Sequence, residues 1–270
     1  MQSNIIFLGT AGDSNVCGKQ IRASGGIIIQ VEGYQFHLNP GPGSLVRAAH
    51  FGINLRQTTA VLVSNNDLIN CNDINAVVSA MTHDGFDVQG VLISSDSVIN
   101  GSEKEKPFLA NTHRNYFEKI IAIGADKKIG VGNIEIHTLQ TKSKDDSGIG
   151  FKFFTSQFVL SYSSDTGYSP DIVSQYKQSD ILILNVTNPF SEQDKYCLDS
   201  ASAVKILKIV KPKLAIITHF GTKMLNSDPL YESREIQKQS GVQVIAAKDG
   251  IEINPISYSA SLKQRTLNLY

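Results

Sequence analysis

The stretch Val61–Asp73, VLVSNNDLINCND, constrains the fold of this chain more than any other. Val61, Leu62 and Val63 are consecutive apolar residues, the pattern of a short strand buried on both faces, and small polar side chains follow at once. The polar residues therefore belong to a loop at the strand's end, which is where open α/β sheets build their sites.

The chain on either side repeats strand signals before helix signals. Ile5–Leu8 reads as a buried strand broken by Gly9-Thr10-Ala11-Gly12, and Ile27–Val31 and Tyr34–Leu38 read as two strands joined by a turn at Glu32-Gly33. In Asn39-Pro40-Gly41-Pro42-Gly43 the prolines fix φ and the glycines permit positive φ, which predicts a sharp turn close to the cleft. Helical spacing is expected over 44–51, with Leu45, Val46 and Ala49 on one face. It is expected again over 73–81, with Asp73 capping the first turn of its own helix. Residues 88–94 read as a strand, and 96–116 as a surface excursion over the cleft that leaves His113 solvated.

Further strands are expected within 128–138, 151–154, 158–162, 180–186, 214–217 and 241–246, with helices over 171–176 and 200–210. This order predicts an α/β fold, a four-layer αββα sandwich in which two mixed sheets lie back to back and helices flank them. Residues 1–253 then make one domain of two pseudo-halves, about 1–150 and 151–253, and 254–270 form a C-terminal tail.

Composition narrows the function classes. Lys+Arg and Asp+Glu are both 25 in 270 residues, so no net field favours a nucleic acid or a membrane. The N-terminal run has no basic flank and reads as a first strand, and no segment is long enough to span a bilayer. Cys17, Cys71 and Cys197 are far apart, without a CxxC pattern, which suits a reducing compartment; a cytoplasmic protein is expected. Nucleotide-binding glycine patterns and a Gly-x-Ser-x-Gly elbow are missing from the sequence.

Taken with Ser163-Ser164-Asp165-Thr166-Gly167-Tyr168 and Ile216-Ile217-Thr218-His219-Phe220, the opening stretch resembles the metallo-β-lactamase superfamily, particularly its tRNase Z-like hydrolases. The resemblance runs from Ile5 to about Ile253 and includes NPGPG and LNVT. It implies a pair of metal ions held by a Ser-His-x-His-x-Asp-His motif, by a third histidine in a later loop, by a bridging aspartate and by a final histidine. Asp165 matches the bridging aspartate and His219 the final histidine, so these two are the candidate metal ligands.

At the other ligand positions the sequence departs from the family. Asn65 and Asn70 stand where histidines are expected, Asp67 where a third is expected, Ile69 where the catalytic aspartate is expected, and Ser143 at the later histidine. An amide oxygen is a poor zinc ligand and isoleucine is none. The remnant site is thus Asp67, Asp73, Asp165 and His219. It leads to the expectation of a non-catalytic member of the hydrolase lineage, with no cofactor or, if any, a divalent Zn, Mn or Mg ion. The alternative is a phosphodiesterase-like metal-dependent hydrolase using a rearranged site around Asp67, Asp165 and His219. A homodimer, an active paralogue as partner, and a small-molecule or phosphate-containing ligand are further expectations from the resemblance.

Overall fold

Side-chain alternation along the first strand decides the layering. In Asn4–Phe7 (β1), Ile5 and Phe7 enter one buried cluster while Ile6, with Leu8 just beyond the strand, enters another. The computed structural model, which describes residues 3–103 and 105–259, repeats this division in the strands over 27–31, 58–63, 181–188 and 214–218.

The first sheet continues with Ile27–Val31 (β2), Tyr34–Leu38 (β3), Thr58–Val63 (β4), Val91–Ser94 (β5) and Lys119–Ala122 (β6). The second is built from Lys128–Val131 (β7), Ile134–Gln140 (β8), Ile149–Phe154 (β9), Val159–Tyr162 (β10), Ile181–Asn188 (β11), Leu198–Asp199 (β12), Leu214–Thr218 (β13) and Val244–Ala246 (β14). Glu252–Ile253 (β15) returns to pair with β1, giving the orders β15-β1-β2-β3-β4-β5-β6 and β14-β13-β11-β10-β9-β8-β7, with β12 paired to β11. Both sheets are mixed, with antiparallel pairs on one side and parallel pairs on the other. The chain passes from the first sheet to the second between Ala122 and Lys128, ahead of residue 150.

One apolar cluster, including Phe7, Phe36, Phe151 and Phe153, fills the space between the sheets. A second sets Ile74, Val77, Val78 and Met81 of the helix Ile74–Thr82 against the outer face of the first sheet. A third sets Ala203, Ile206 and Leu207 of the helix Ser200–Val210 against the second. Helix, sheet, sheet and helix are therefore the four layers expected from the sequence.

Several local expectations need correction. Residues 96–116 are not a loose excursion: they form the short helices Asp96–Asn100 and Asn111–Arg114, and Val98, Ile99 and Leu109 are buried in the first outer layer. His113 is partly buried there, 3.2 Å from Ser79 Oγ. In the helix Ser44–His50 the buried residues are Ser44 and Ala48, and Val46 is 72% exposed. Asp73 does not cap its own helix. Its φ of −93° and ψ of 12° are not the extended cap geometry, and its Oδ2 instead accepts from Gly43 N at 2.8 Å and Ser44 N at 2.9 Å, at the start of the neighbouring helix. Gly241 ends a helix rather than opening a strand: Pro229–Ser240 runs from an Asp228 cap to Gly241 at φ 74°. Of the tail expected at 254–270, Pro255–Tyr258 form a 3₁₀ turn with Tyr258 packed on the inter-sheet core, and 260–270 lie outside the described residues.

His37 on β3 is fully buried, with its Nε2 2.9 Å from Gly25 O. Burial pulls its pKa down to about 4, from an ordinary 6.5. A depressed folded-state value means that the unfolded chain takes the proton first as pH falls. The neutral ring therefore contributes fully above pH 6.5, and stability is lost between 6.5 and about 4, by roughly 3 kcal/mol. Urea unfolding from pH 7.5 to 4.5 is expected to show this slope, and His37→Gln is expected to flatten it.

Candidate functional site

Four strand ends and one residue within a fifth strand, at the last position where that strand pairs with its parallel neighbour, converge on one place. Asn39 follows β3, Asn65 lies two residues beyond β4, Asp165 three beyond β10, Asn185 is in β11 and His219 follows β13. In each sheet these are the carboxyl ends of parallel-paired strands, β3 with β4 in the first and β10, β11 and β13 in the second. Asn39, Ser164 and His219 have left-handed backbone, with φ of 53°, 59° and 64°. Asn tolerates that region; serine and histidine enter it at a cost and are held by their surroundings. For His219 the support is the Gly9–Gly12 loop: Phe220 N donates to Thr10 O at 2.8 Å, and a Cβ on Gly12 would lie 1.9 Å from His219 O.

The centre is the Asp165 carboxylate. Its Oδ2 accepts from Asn70 Nδ2 at 2.7 Å and Asn65 Nδ2 at 3.1 Å, and its Oδ1 accepts from Asn185 Nδ2 at 2.8 Å and lies 3.1 Å from His219 Nε2. Burial by itself would raise its pKa; the His219 ring and the amides of Asn185, Asn70 and Asn65 more than reverse this and hold the carboxyl below its ordinary value. The amides support one another, since Asn65 Oδ1 accepts from Asn70 Nδ2 at 2.9 Å and Asn39 Nδ2 reaches Asn70 Oδ1 at 3.3 Å.

The other sequence-selected residues are distributed around this centre. Asp67 begins the short helix Leu68–Cys71, where its Oδ1 accepts from Ile69 N at 3.0 Å, and it lines the cleft. Ile69 is buried, and its carbonyl lies where a Cβ on Gly41 would come within 1.8 Å, so the NPGPG turn must be bare at that point. Ser143 donates to Asp145 O at 2.7 Å rather than to the centre. Asp73, bonded to Gly43 and Ser44, is not among the cleft-lining residues. The sequence reading passed over Asn185, visible only as one polar residue in DILILNV, and Asp145, which ties its loop to the Asn65 loop through Asn66 N at 3.0 Å.

A cleft of about 470 Å³ opens over the centre. It is lined by Asp13, Asp67, Asp145, Asp165 and Asp194 and by Lys144 and Lys223, together with Tyr196, Cys197 and His219. Lys223 is already paired with Glu192 at 2.8 Å. Burial, with Asp165 and Asp194 nearby, pushes the Cys197 thiol up to about 11, so a reactive thiolate is scarce at neutral pH.

The paired metal ions that the resemblance implies do not fit this donor set. Asn65, Asn70 and Asn185 turn their NH₂ groups toward the carboxylate, presenting hydrogens where a cation needs lone pairs. Among the described residues no group of three or more His, Cys, Asp or Glu is placed to hold a metal ion. No helix among them is long and apolar enough to cross a membrane.

Comparison with known proteins places this geometry in context. A family model described as a beta-lactamase superfamily domain matches residues 34–220. The uncharacterized protein MJ1374 of Methanocaldococcus jannaschii is 29% identical over 255 residues, covering 94% of this chain and 95% of its own. Among solved structures, the metallo-beta-lactamase fold protein YhfI from Bacillus subtilis aligns with a TM-score of 0.76 at 18% identity, over 93% of this chain and 98% of its own. The short form of human tRNase Z aligns with a TM-score of 0.67 at 12% identity, over 93% and 98%. A diphosphatase from the PhnP family gives 0.68 at 15%, over 94% and 97%. At these identities the structural likeness is one of fold.

Removing one amide tests the network. Asn70→Ala is expected to lower unfolding free energy by about 2 kcal/mol, because a buried ionised acceptor loses its shortest bond. Asn70→Asp, which sets a second carboxylate against Asp165, is expected to cost more at pH 7 and less at pH 5, as one of the two takes a proton; equilibrium urea unfolding at both pH values measures it.

Proposed function

The chain belongs to the beta-lactamase superfamily, and from that premise we propose that it is a non-catalytic member whose cleft binds a ligand without metal-assisted hydrolysis. One observation carries the reading: both oxygens of the Asp165 carboxylate are occupied by three amide groups and His219. A bridging aspartate works by sharing its oxygens between metal ions that activate a water. Here the same oxygens are committed to protein donors, and the amides facing them repel a cation.

The cleft's charge bears on the ligand. Five aspartates face two lysines, and one of those lysines is neutralised by Glu192. Such a lining disfavours a phosphate-rich ligand and favours one that carries an amine or a guanidinium.

The competing reading, a metal-dependent hydrolase built on Asp67, Asp165 and His219, is separated by one set of measurements. Protein dialysed against Zn²⁺ and Mn²⁺ is expected to retain almost no metal per chain and to leave an activated phosphodiester intact. In calorimetric titration spermidine and arginine are expected to bind more tightly than inorganic phosphate or a nucleoside monophosphate. One or two metal ions per chain, lost in His219→Ala and accompanied by hydrolysis, would sink the proposal.

A further inference from the structure

A second, smaller pocket, itself partly open, shares Ile69 and His219 with the cleft and has a volume of about 20 Å³. Tyr162 and Asn185 are among the residues that line it.

The orientation of Asn185 is fixed by charge. Its amide approaches the ionised Asp165 Oδ1 at 2.8 Å, and only the NH₂ end can do so, because an amide oxygen there would set acceptor against acceptor. The other hydrogen of that NH₂ goes to the Tyr162 hydroxyl at 3.0 Å. Asn185 Oδ1 therefore faces away from Asp165. The residue is 1% exposed, and its oxygen has no partner among the described residues.

The Tyr162 hydroxyl has the opposite need. It accepts from Asn185 and, at 2.9 Å, from Asn39 Nδ2, whose orientation is set by Asn39 Oδ1 accepting from Ser64 N at 2.8 Å. With two donors on its oxygen, its own hydrogen must go elsewhere. Burial and the neighbouring Asp165 push its pKa upward, so the hydroxyl keeps that hydrogen.

We propose that this pocket is a binding site for a single ordered water, which accepts from the Tyr162 hydroxyl and donates to Asn185 Oδ1. A space of about 20 Å³ suits one water, which needs roughly 10–15 Å³, and is too small for an organic molecule. The Asn185 and Tyr162 side chains are themselves joined by a 3.0 Å bond, which puts both groups within reach of the same water. A metal or ammonium ion satisfies the amide oxygen but cannot accept from the hydroxyl, so the paired demand selects water. Its consequence reaches the cleft, since a donor on Oδ1 keeps the Asn185 NH₂ aimed at Asp165. Asn185 and the water are thus positioning groups for the carboxylate.

The test is a crystal structure of the full chain refined to better than about 1.8 Å, with anomalous data to identify ions. A peak without anomalous signal, about 2.7–3.0 Å from both Tyr162 Oη and Asn185 Oδ1, is the expected result. An ion, a collapsed or dry pocket, or a protein acceptor on the Tyr162 hydroxyl would overturn the proposal. In Tyr162→Phe the peak is expected to weaken or shift toward Asn185; an unchanged peak would overturn the bridging role.

Discussion

A largely buried negative charge must be answered, and the arrangement of the candidate site follows from how Asp165, 17% exposed at its side chain, is answered. An ionised carboxylate taken out of water costs several kcal/mol unless it is paired and hydrogen-bonded. Three asparagine amides and one imidazole surround it, drawn from loops and strands of both sheets. Because each amide must present nitrogen to the carboxylate, its oxygen is directed outward, and that outward oxygen decides the next bond. Asn70 Oδ1 meets Asn39, and Asn65 Oδ1 meets Asn70 and the Asp67 amide. The polarity of the whole network thus descends from one charge.

Such a network needs its members brought close without their bulk, and the backbone supplies this. Gly12 lets the first loop lie against the carbonyl of His219, and Gly41 lets the NPGPG turn lie against that of Ile69. Ser164, the chain neighbour of Asp165, and His219 itself have left-handed backbone. Strain at these points is borne by rigid elements beneath, where Phe7, Phe36, Phe151 and Phe153 interlock the sheets.

The layers were legible in the sequence because burial on one or two faces leaves a period that survives in a single chain. Ile27–Val31 and Tyr34–Leu38 show it, and so does Ser200–Val210. The helix Pro229–Ser240 was not legible from periodicity, since PLYESREIQKQS offers little apolar spacing; its Pro start and Gly stop were the available signals. Residues 96–116 misled for a related reason, as Val98, Ile99 and Leu109 are isolated among polar neighbours and gain their burial from tertiary contact. At the candidate site, Asp165 and His219 stand out in the sequence only through their neighbouring motif residues. Asn185 was not, because one asparagine in a buried strand has no local signature; its role exists only once Asp165 lies beside it.

That dependence also explains why the departures from the ligand motif belong together. A single asparagine among histidines would leave an amide beside a cation, with its NH₂ unpartnered whenever its oxygen coordinated. Asn65 and Asn70 both donate to the same carboxylate oxygen and one to the other, so each makes the other's position favourable. A histidine placed at Asn65 or Asn70 would break an amide pair without by itself supplying the whole ligand set on which metal affinity depends. In this structure the centre is held by donors and acceptors that support one another, so a change at one of them is expected to act on its neighbours as well.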